Sequence, residues 1–361
     1  AMRACENQKT RGNALFSEGQ ILLNGTETLS PNPVLAVELL LEAVRLNNSD
    51  AATLLGHCYE FGKGVVANDR LAFEMYKKAA TEGHDIAQMQ LGFCFLRGCC
   101  NTKTDNKEAV KWFTKAAEKN NADAQHTLGL CFLGIEGIPR DVEKAFSFFQ
   151  QAAAQRHPGG QYNVGLAFLN GVGVAQDRQE AIQWLQRATN QNVSMAMIML
   201  GICYESGIES NKTRAVDLFN RAAMRGHPLG QLKLARCFLN GYGVRKNAAH
   251  AKELFFKAAQ QGDEHAQYNL GLLYLHGNGV EKDQGRAIEW FLKSAKGGHA
   301  LSQMELGLAY EHGIVGERNE TRALYWYTKA AEQDCLKARL AQALFCVLMW
   351  QKSKENDDET A

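Results

Sequence analysis

The chain has 361 residues, 45% of them apolar and 22% charged, and a formal net charge of +1. This is an ordinary globular composition, and near-neutrality removes the electrostatic case for nucleic acid or a charged membrane surface as partner. The longest apolar run, residues 340–350, is interrupted and too short to span a bilayer, so no membrane insertion is expected.

Residues 1–7 read as a leader in which Met2 stands behind a cloning scar. No apolar segment of the signal-peptide kind follows. The expected compartment is the cytoplasm, with the endoplasmic-reticulum lumen or secretion as the alternative should a signal peptide have been removed. Five Asn-x-Ser/Thr sequons, at Asn24, Asn47, Asn192, Asn211 and Asn319, point weakly to that alternative and read more simply as Asn-rich turns.

From residue 8 to residue 335 the chain repeats itself nine times. The Gly of a Leu-Gly pair marks each copy, at Gly19, Gly56, Gly92, Gly129, Gly165, Gly201, Gly271 and Gly307, with Ala235 in the seventh copy. The steps between them are 34 to 37 residues. From the first Ala of each second half (Ala36, Ala72, Ala109 and onward) to the next marker is always 20 residues, so length varies only in the loop inside a repeat. An invariant junction is what stacking on a neighbour requires.

Each copy predicts two antiparallel helices. In the third, helix A is expected over 84–97, with Ala87, Leu91, Cys94 and Phe95 on one face. Helix B is expected over 106–119, with Ala109, Trp112, Phe113, Ala116 and Ala117 on one face. Loop glycines such as Gly171 and Gly173 turn the chain at positive φ. His84, His157, His227 and His299 stand eight residues before the marker, where other copies have Asn48, Asn121 and Asp263. Helix-capping chemistry accounts for all three residue types together.

Of ten cysteines, Cys58, Cys94, Cys131, Cys203 and Cys237 share one slot, two after the marker, which Ala or Leu fills elsewhere. A slot shared by Cys, Ala and Leu is a packing position, and its copies on neighbouring helices lie too far apart to bridge. Cys99-Cys100 fall in a loop, where a reactive or metal-binding pair is the alternative to a plain turn. After the ninth copy a terminal helix is expected over 336–351, with more apolar residues than one buried face consumes. A charged, disordered tail is expected over 352–361.

The pattern small-xxx-LG-xx-aromatic-xx-G-x-G, then A-xx-W-aromatic-xx-AA-xx-G, resembles the Sel-1-like repeat (SLR), a relative of the tetratricopeptide repeat (TPR). The eighth copy, LGLLYLHGNGVEKDQGRAIEWFLKSA, carries it closely. The resemblance implies an all-α fold: a right-handed α-solenoid of stacked helix-turn-helix, Sel-1-like and TPR-like repeats. It also implies a non-catalytic adaptor or scaffold role.

The residues offer no competing chemistry. The chain contains no HExxH, GxSxG, SxxK, P-loop or CxxC pattern. No enzyme activity, cofactor or metal site is therefore expected. The Gly-rich loops follow a helix rather than a strand and recur with the period, which excludes a phosphate-binding reading of them.

What remains is a binding surface. Helix-A positions opposite the core would line a concave groove that takes a peptide segment or a helix of another protein. The candidates are His57, Phe93, His126, Tyr162, Asn163, Lys233, Arg236, Asn240, Tyr268, Asn269, His276 and His312. Asn163 and Asn269 suit gripping an extended backbone, because an amide both donates and accepts; the bland alternative is that Asn recurs with the repeat. Lys233 and Arg236 would form one basic spot. The runner-up function is assembly, a homodimer joined through Leu344, Val347, Leu348 and Trp350 of the terminal helix, as against a monomer. A hydrolase hidden in the repeats is the third reading and has no residues to its name.

Overall fold

A computed structural model describes residues 2–26, 29–98, 104–206, 211–314, 316–333, 339–340 and 342–347. Cys99, Cys100, Leu348, Trp350 and the tail lie outside the described residues. Among those described, every regular element is an α-helix, and the chain forms two compact units, 1–191 and 192–361.

The first unit holds α1 (Met2–Asn24), α2 (Pro33–Arg45), α3 (Ser49–Phe61), α4 (Asp69–Thr81), α5 (Asp85–Arg97), α6 (Asn106–Glu118), α7 (Ala122–Gly134), α8 (Val142–Ala154), α9 (Pro158–Asn170) and α10 (Arg178–Asn190). The second holds α11 (Ser194–Ser206), α12 (Lys212–Met224), α13 (Pro228–Asn240), α14 (Ala248–Gln260), α15 (Glu264–His276), α16 (Gln284–Lys296), α17 (Ala300–Glu311) and α18 (Glu320–Ala331). Residues 339–340 and 342–347 are helical too. Within each unit odd-numbered A helices pair with the B helix that follows, and each B helix packs on the next A helix. The first helix starts at Met2, ahead of the repeat boundary expected at residue 8.

Helix ends are fixed by side chains the sequence already exposes. Asn68, Asp105, Asp141 and Asp283 each accept a backbone N–H three residues on and start a B helix. Each such cap is worth about 1 kcal/mol. The A helices start the same way: Asn121 and Asp263 cap through Oδ1, and His84, His157 and His299 cap through Nδ1 at 3.2, 2.9 and 3.2 Å. His227 holds the same place, makes no cap bond, and its buried Nδ1 has no partner.

The core lies between the A and B helices. Leu55, Leu91, Leu128, Leu200 and Leu270 are buried from the A side, and Tyr76, Phe113, Phe149, Phe219 and Phe291 from the B side. The Gly of the Leu-Gly pair exists for those rings: a Cβ on Gly92 would sit 2.6 Å from the ring of Phe113. The second loop glycine serves a different approach. At Gly243, with φ of 66°, a Cβ would stand 2.6 Å from the Lys212 carbonyl of the preceding B helix. The five slot cysteines are buried and stand outside any disulfide, as packing residues should, and burial pushes the Cys131 and Cys237 thiols up to about 11.

Candidate functional site: the A-helix face

The A-helix positions opposite the core are half-buried or exposed, as the helical period requires. In the first unit, His57 stacks on Phe61 and meets Tyr76 edge-on, with centroids 6.1 and 5.6 Å away. Its neighbour Glu60 accepts from the Tyr76 hydroxyl at 2.7 Å and pairs with Arg97 at 3.4 Å. Phe93 packs edge-on against Phe113 at 5.1 Å and carries the Arg97 guanidinium 5.6 Å from its ring.

His126 sits between Phe149 and His157, with centroids 5.8 and 4.7 Å away. Burial first, and the neighbouring His157 second, push its pKa down to about 4, so the ring is neutral at physiological pH. A neutral ring can accept, and Asn163 Nδ2 donates to His126 Nε2 at 2.9 Å. Tyr162 is half-buried, and burial raises its phenol.

In the second unit, Lys233 pairs with Glu205 at 3.3 Å and stands 6.0 Å from the Phe219 ring. The basic spot therefore rests on Arg236, which is exposed. Tyr268 lies against Phe291 and His299, with centroids 5.9 and 4.7 Å away. His299 is held down at about 4, by burial first and then by His265. Asn269 Nδ2 donates to the His265 carbonyl at 2.7 Å. Asn240, His276 and His312 are exposed at or just past the ends of their helices. The amide groups of Asn163 and Asn269 are thus engaged inside the chain, and each keeps its carbonyl oxygen to offer.

Repeat four breaks the loop pattern, and a cavity lies between its helices and those of repeat five. Helix α7 runs into an extended Ile135 where α3, α5, α9, α13 and α15 end on a left-handed Gly. The cavity measures about 150 Å³. Leu133, Val142, Phe146, Phe149 and Leu166 wall it, and Asn163 and Asn170 stand among them. Sequence reasoning found Asn163 and missed the walls on α8.

Sequence reasoning also missed a ladder of buried glutamines. Gln125, Gln161, Gln231 and Gln303 each accept, through Oε1, from a Gln 30 residues later: Gln155, Gln191, Gln261 and Gln333, at 2.8–3.0 Å. In the third repeat Lys119 stands where those partners stand, and the buried Gln88 Oε1 has no donor. The constant offset of 30 was the readable signal. Among the described residues, no group of three or more His, Cys, Asp or Glu could hold a metal, and no helix is long and apolar enough to cross a membrane.

Comparison with known proteins agrees with this architecture. The family model described as "Sel1 repeat" matches nine consecutive segments: 14–48, 49–84, 85–121, 122–157, 158–193, 194–227, 228–263, 264–299 and 300–335. The chain is similar to c5321, a protective antigen of uropathogenic Escherichia coli displaying an SLR fold. Identity is 30% and the TM-score 0.71, over 86% of this chain and 68% of that one. It is also similar to a Sel1 repeat protein of Oxalobacter formigenes, at 28% identity and TM-score 0.65, over 84% of this chain and 90% of that one. A curated relative, Activator of C kinase protein 1 of Saccharomyces cerevisiae, is 35% identical over 88 residues. The match takes in 22% of this chain and only 14% of the yeast protein's length.

Proposed function

We propose, from the premise that the chain belongs to the Sel1 repeat family, that it is a non-catalytic adaptor whose A-helix face takes a segment of a partner protein. Sel1-repeat proteins are generally protein-interaction adaptors. The observation that carries the reading here is the cavity between repeats four and five. It has apolar walls for one side chain of a bound segment, and the Asn163 and Asn170 amides beside it for that segment's backbone. Phe61, 63% exposed, and Leu130, 43% exposed, extend apolar surface on the same helix face of the first unit. The yeast relative is named as an activator of a kinase, a role that fits a protein acting by binding another. Buried thiols outside any disulfide, Cys58, Cys131 and Cys237 among them, fit a reducing compartment, and the cytoplasm is the compartment this reading favours.

The test is affinity capture from cell lysate with wild type and with a Tyr162→Ala, Arg236→Glu, Tyr268→Ala variant of unchanged circular dichroism. A partner retained by wild type and lost by the variant is the expected result. Equal capture by both removes the A-helix face from the reading.

One observation favours assembly as a second reading. On the terminal helix Phe345 is buried against Tyr327, while Leu340, Leu344 and Val347 are 57%, 65% and 51% exposed. If this face joins two copies, light scattering detects a dimer that Val347→Asp dissociates. A monomer at all concentrations rejects it.

A further inference from the structure

At each junction between repeats the chain turns through one left-handed residue. Asn47, Gly83, Asn120, Asn192, Gly226, Gly262 and Gly298 fill this place, with φ between 57° and 102°. Arg156 fills it between α8 and α9, at φ 64°. Arginine has neither glycine's freedom from a Cβ nor the short amide that lets Asn settle there. A strained residue of this kind persists where its side chain is used.

The side chain lines a cleft of about 670 Å³ inside the first unit, together with Gln161, Trp184, Arg187, Asn190 and Gln191. The Arg187 guanidinium lies 4.1 Å from the Trp184 ring centre, a stacking that restricts its rotamers and leaves its N–H edge for a ligand. Among the described residues neither arginine pairs with a carboxylate. None lines the cleft, and the sequence has no Asp or Glu over 144–176 or 181–204.

A neutral donor completes the set. Gln161 is only 5% exposed, and its Oε1 accepts from Gln191 Nε2 at 2.8 Å. In the equivalent Gln88, Gln125, Gln267 and Gln303, Nε2 donates to an Ala carbonyl eight residues earlier. Gln161 Nε2 makes no such bond. Gln231 shares that free donor, but Gly226 and Leu254 stand there in place of Arg156 and Trp184. The carbonyl ends of α8 and α10 attract cations, which accounts for a basic residue nearby but not for one in a left-handed turn that Gly or Asn fills elsewhere.

We propose that this cleft recognises phosphate and takes a phosphorylated side chain of the partner segment. Two guanidiniums and a buried amide donor match the double charge and three acceptor oxygens of a phosphate better than the single charge of a carboxylate. The inference rests on the adaptor reading for its source of phosphate. Its residues are separate from those of the A-helix cavity.

The test is fluorescence anisotropy on the full chain, using a degenerate short-peptide mixture with one fixed central phosphoserine. Serine and glutamate versions serve as controls, and inorganic phosphate as competitor. The phosphoserine mixture is expected to bind, and the serine and glutamate versions about tenfold or more weaker. Arg156→Gly installs the residue used at four other junctions, so it should fold at least as well and still lose about tenfold in affinity. Arg187→Gln should lose a similar factor. Equal binding of the three mixtures, or unchanged affinity in a folded Arg156→Gly variant, overturns the proposal. So does inorganic phosphate alone binding as tightly as the phosphopeptides, which would assign the cleft to a small anion. If lysate capture still depends on the A-helix face while phosphopeptides do not bind, this inference falls and the adaptor reading stands.

Discussion

Substituting Gly92 by Ala sets two known effects against each other. Within a helix, Ala is favoured over Gly by about 1 kcal/mol, so propensity alone predicts a more stable protein. The structure predicts the reverse. The new Cβ would stand 2.6 Å from the ring of Phe113, which is fully buried and cannot swing aside. Overpacking of this kind costs about 1–3 kcal/mol, so the net change is roughly 0–2 kcal/mol of destabilisation. The seventh copy supplies the control: Ala235 already occupies the marker position and is buried. There Ala235→Gly relieves no clash and should cost about 1 kcal/mol. Urea unfolding followed by circular dichroism reads both variants. A Gly92→Ala protein more stable than wild type by about 1 kcal/mol would refute the claim that ring contact, rather than chain flexibility, sets the Leu-Gly pair.

Three further outcomes are expected. Lys119→Gln supplies the donor that the buried Gln88 Oε1 lacks, and Gln191 shows that a Gln in this place can also bond the junction carbonyl, as Lys119 does at Gly83. The variant should be about 1 kcal/mol more stable by urea unfolding, and a loss of stability would contradict the ladder. His126 and His299 are held at about 4 in the fold against an ordinary 6.5, so the unfolded chain binds more protons between those values. Stability should therefore fall as pH drops from about 6.5 toward about 4, and His126→Gln should flatten that slope in pH-dependent melting. Phe345→Ala removes a ring that is 2% exposed and packed on Tyr327. It should cost about 3–5 kcal/mol locally, read as lost hydrogen-exchange protection in α18, whereas Leu344→Ala on the exposed face should cost little.

The register of the helices was readable residue by residue. Asp105 and Asn121 announce two helix starts, and the fixed spacing to the marker Gly assigns the next, because caps and glycine turns act over three or four residues of the same chain. The slot cysteines were readable as core for a similar reason: one position filled by Cys, Ala or Leu must be a place where only size matters. His126 was readable as a surface position of α7. That Asn163 would bind its Nε2 was not, since that depends on how far one A helix lies from the next.

The sequence by itself determined the all-α class, the helix pairs and their period, because each repeat carries its own start, stop and apolar stripe. Tertiary structure alone decided which surfaces are hollow and which polar groups are left over. The cavity beside Asn163 is the space remaining among side chains from α7, α8, α9 and the loop after α9. The strain at Arg156 is a backbone angle that no residue type declares. Both are differences between near-identical repeats. A periodic pattern records what the copies share, while the fit of one copy on the next fixes where they differ.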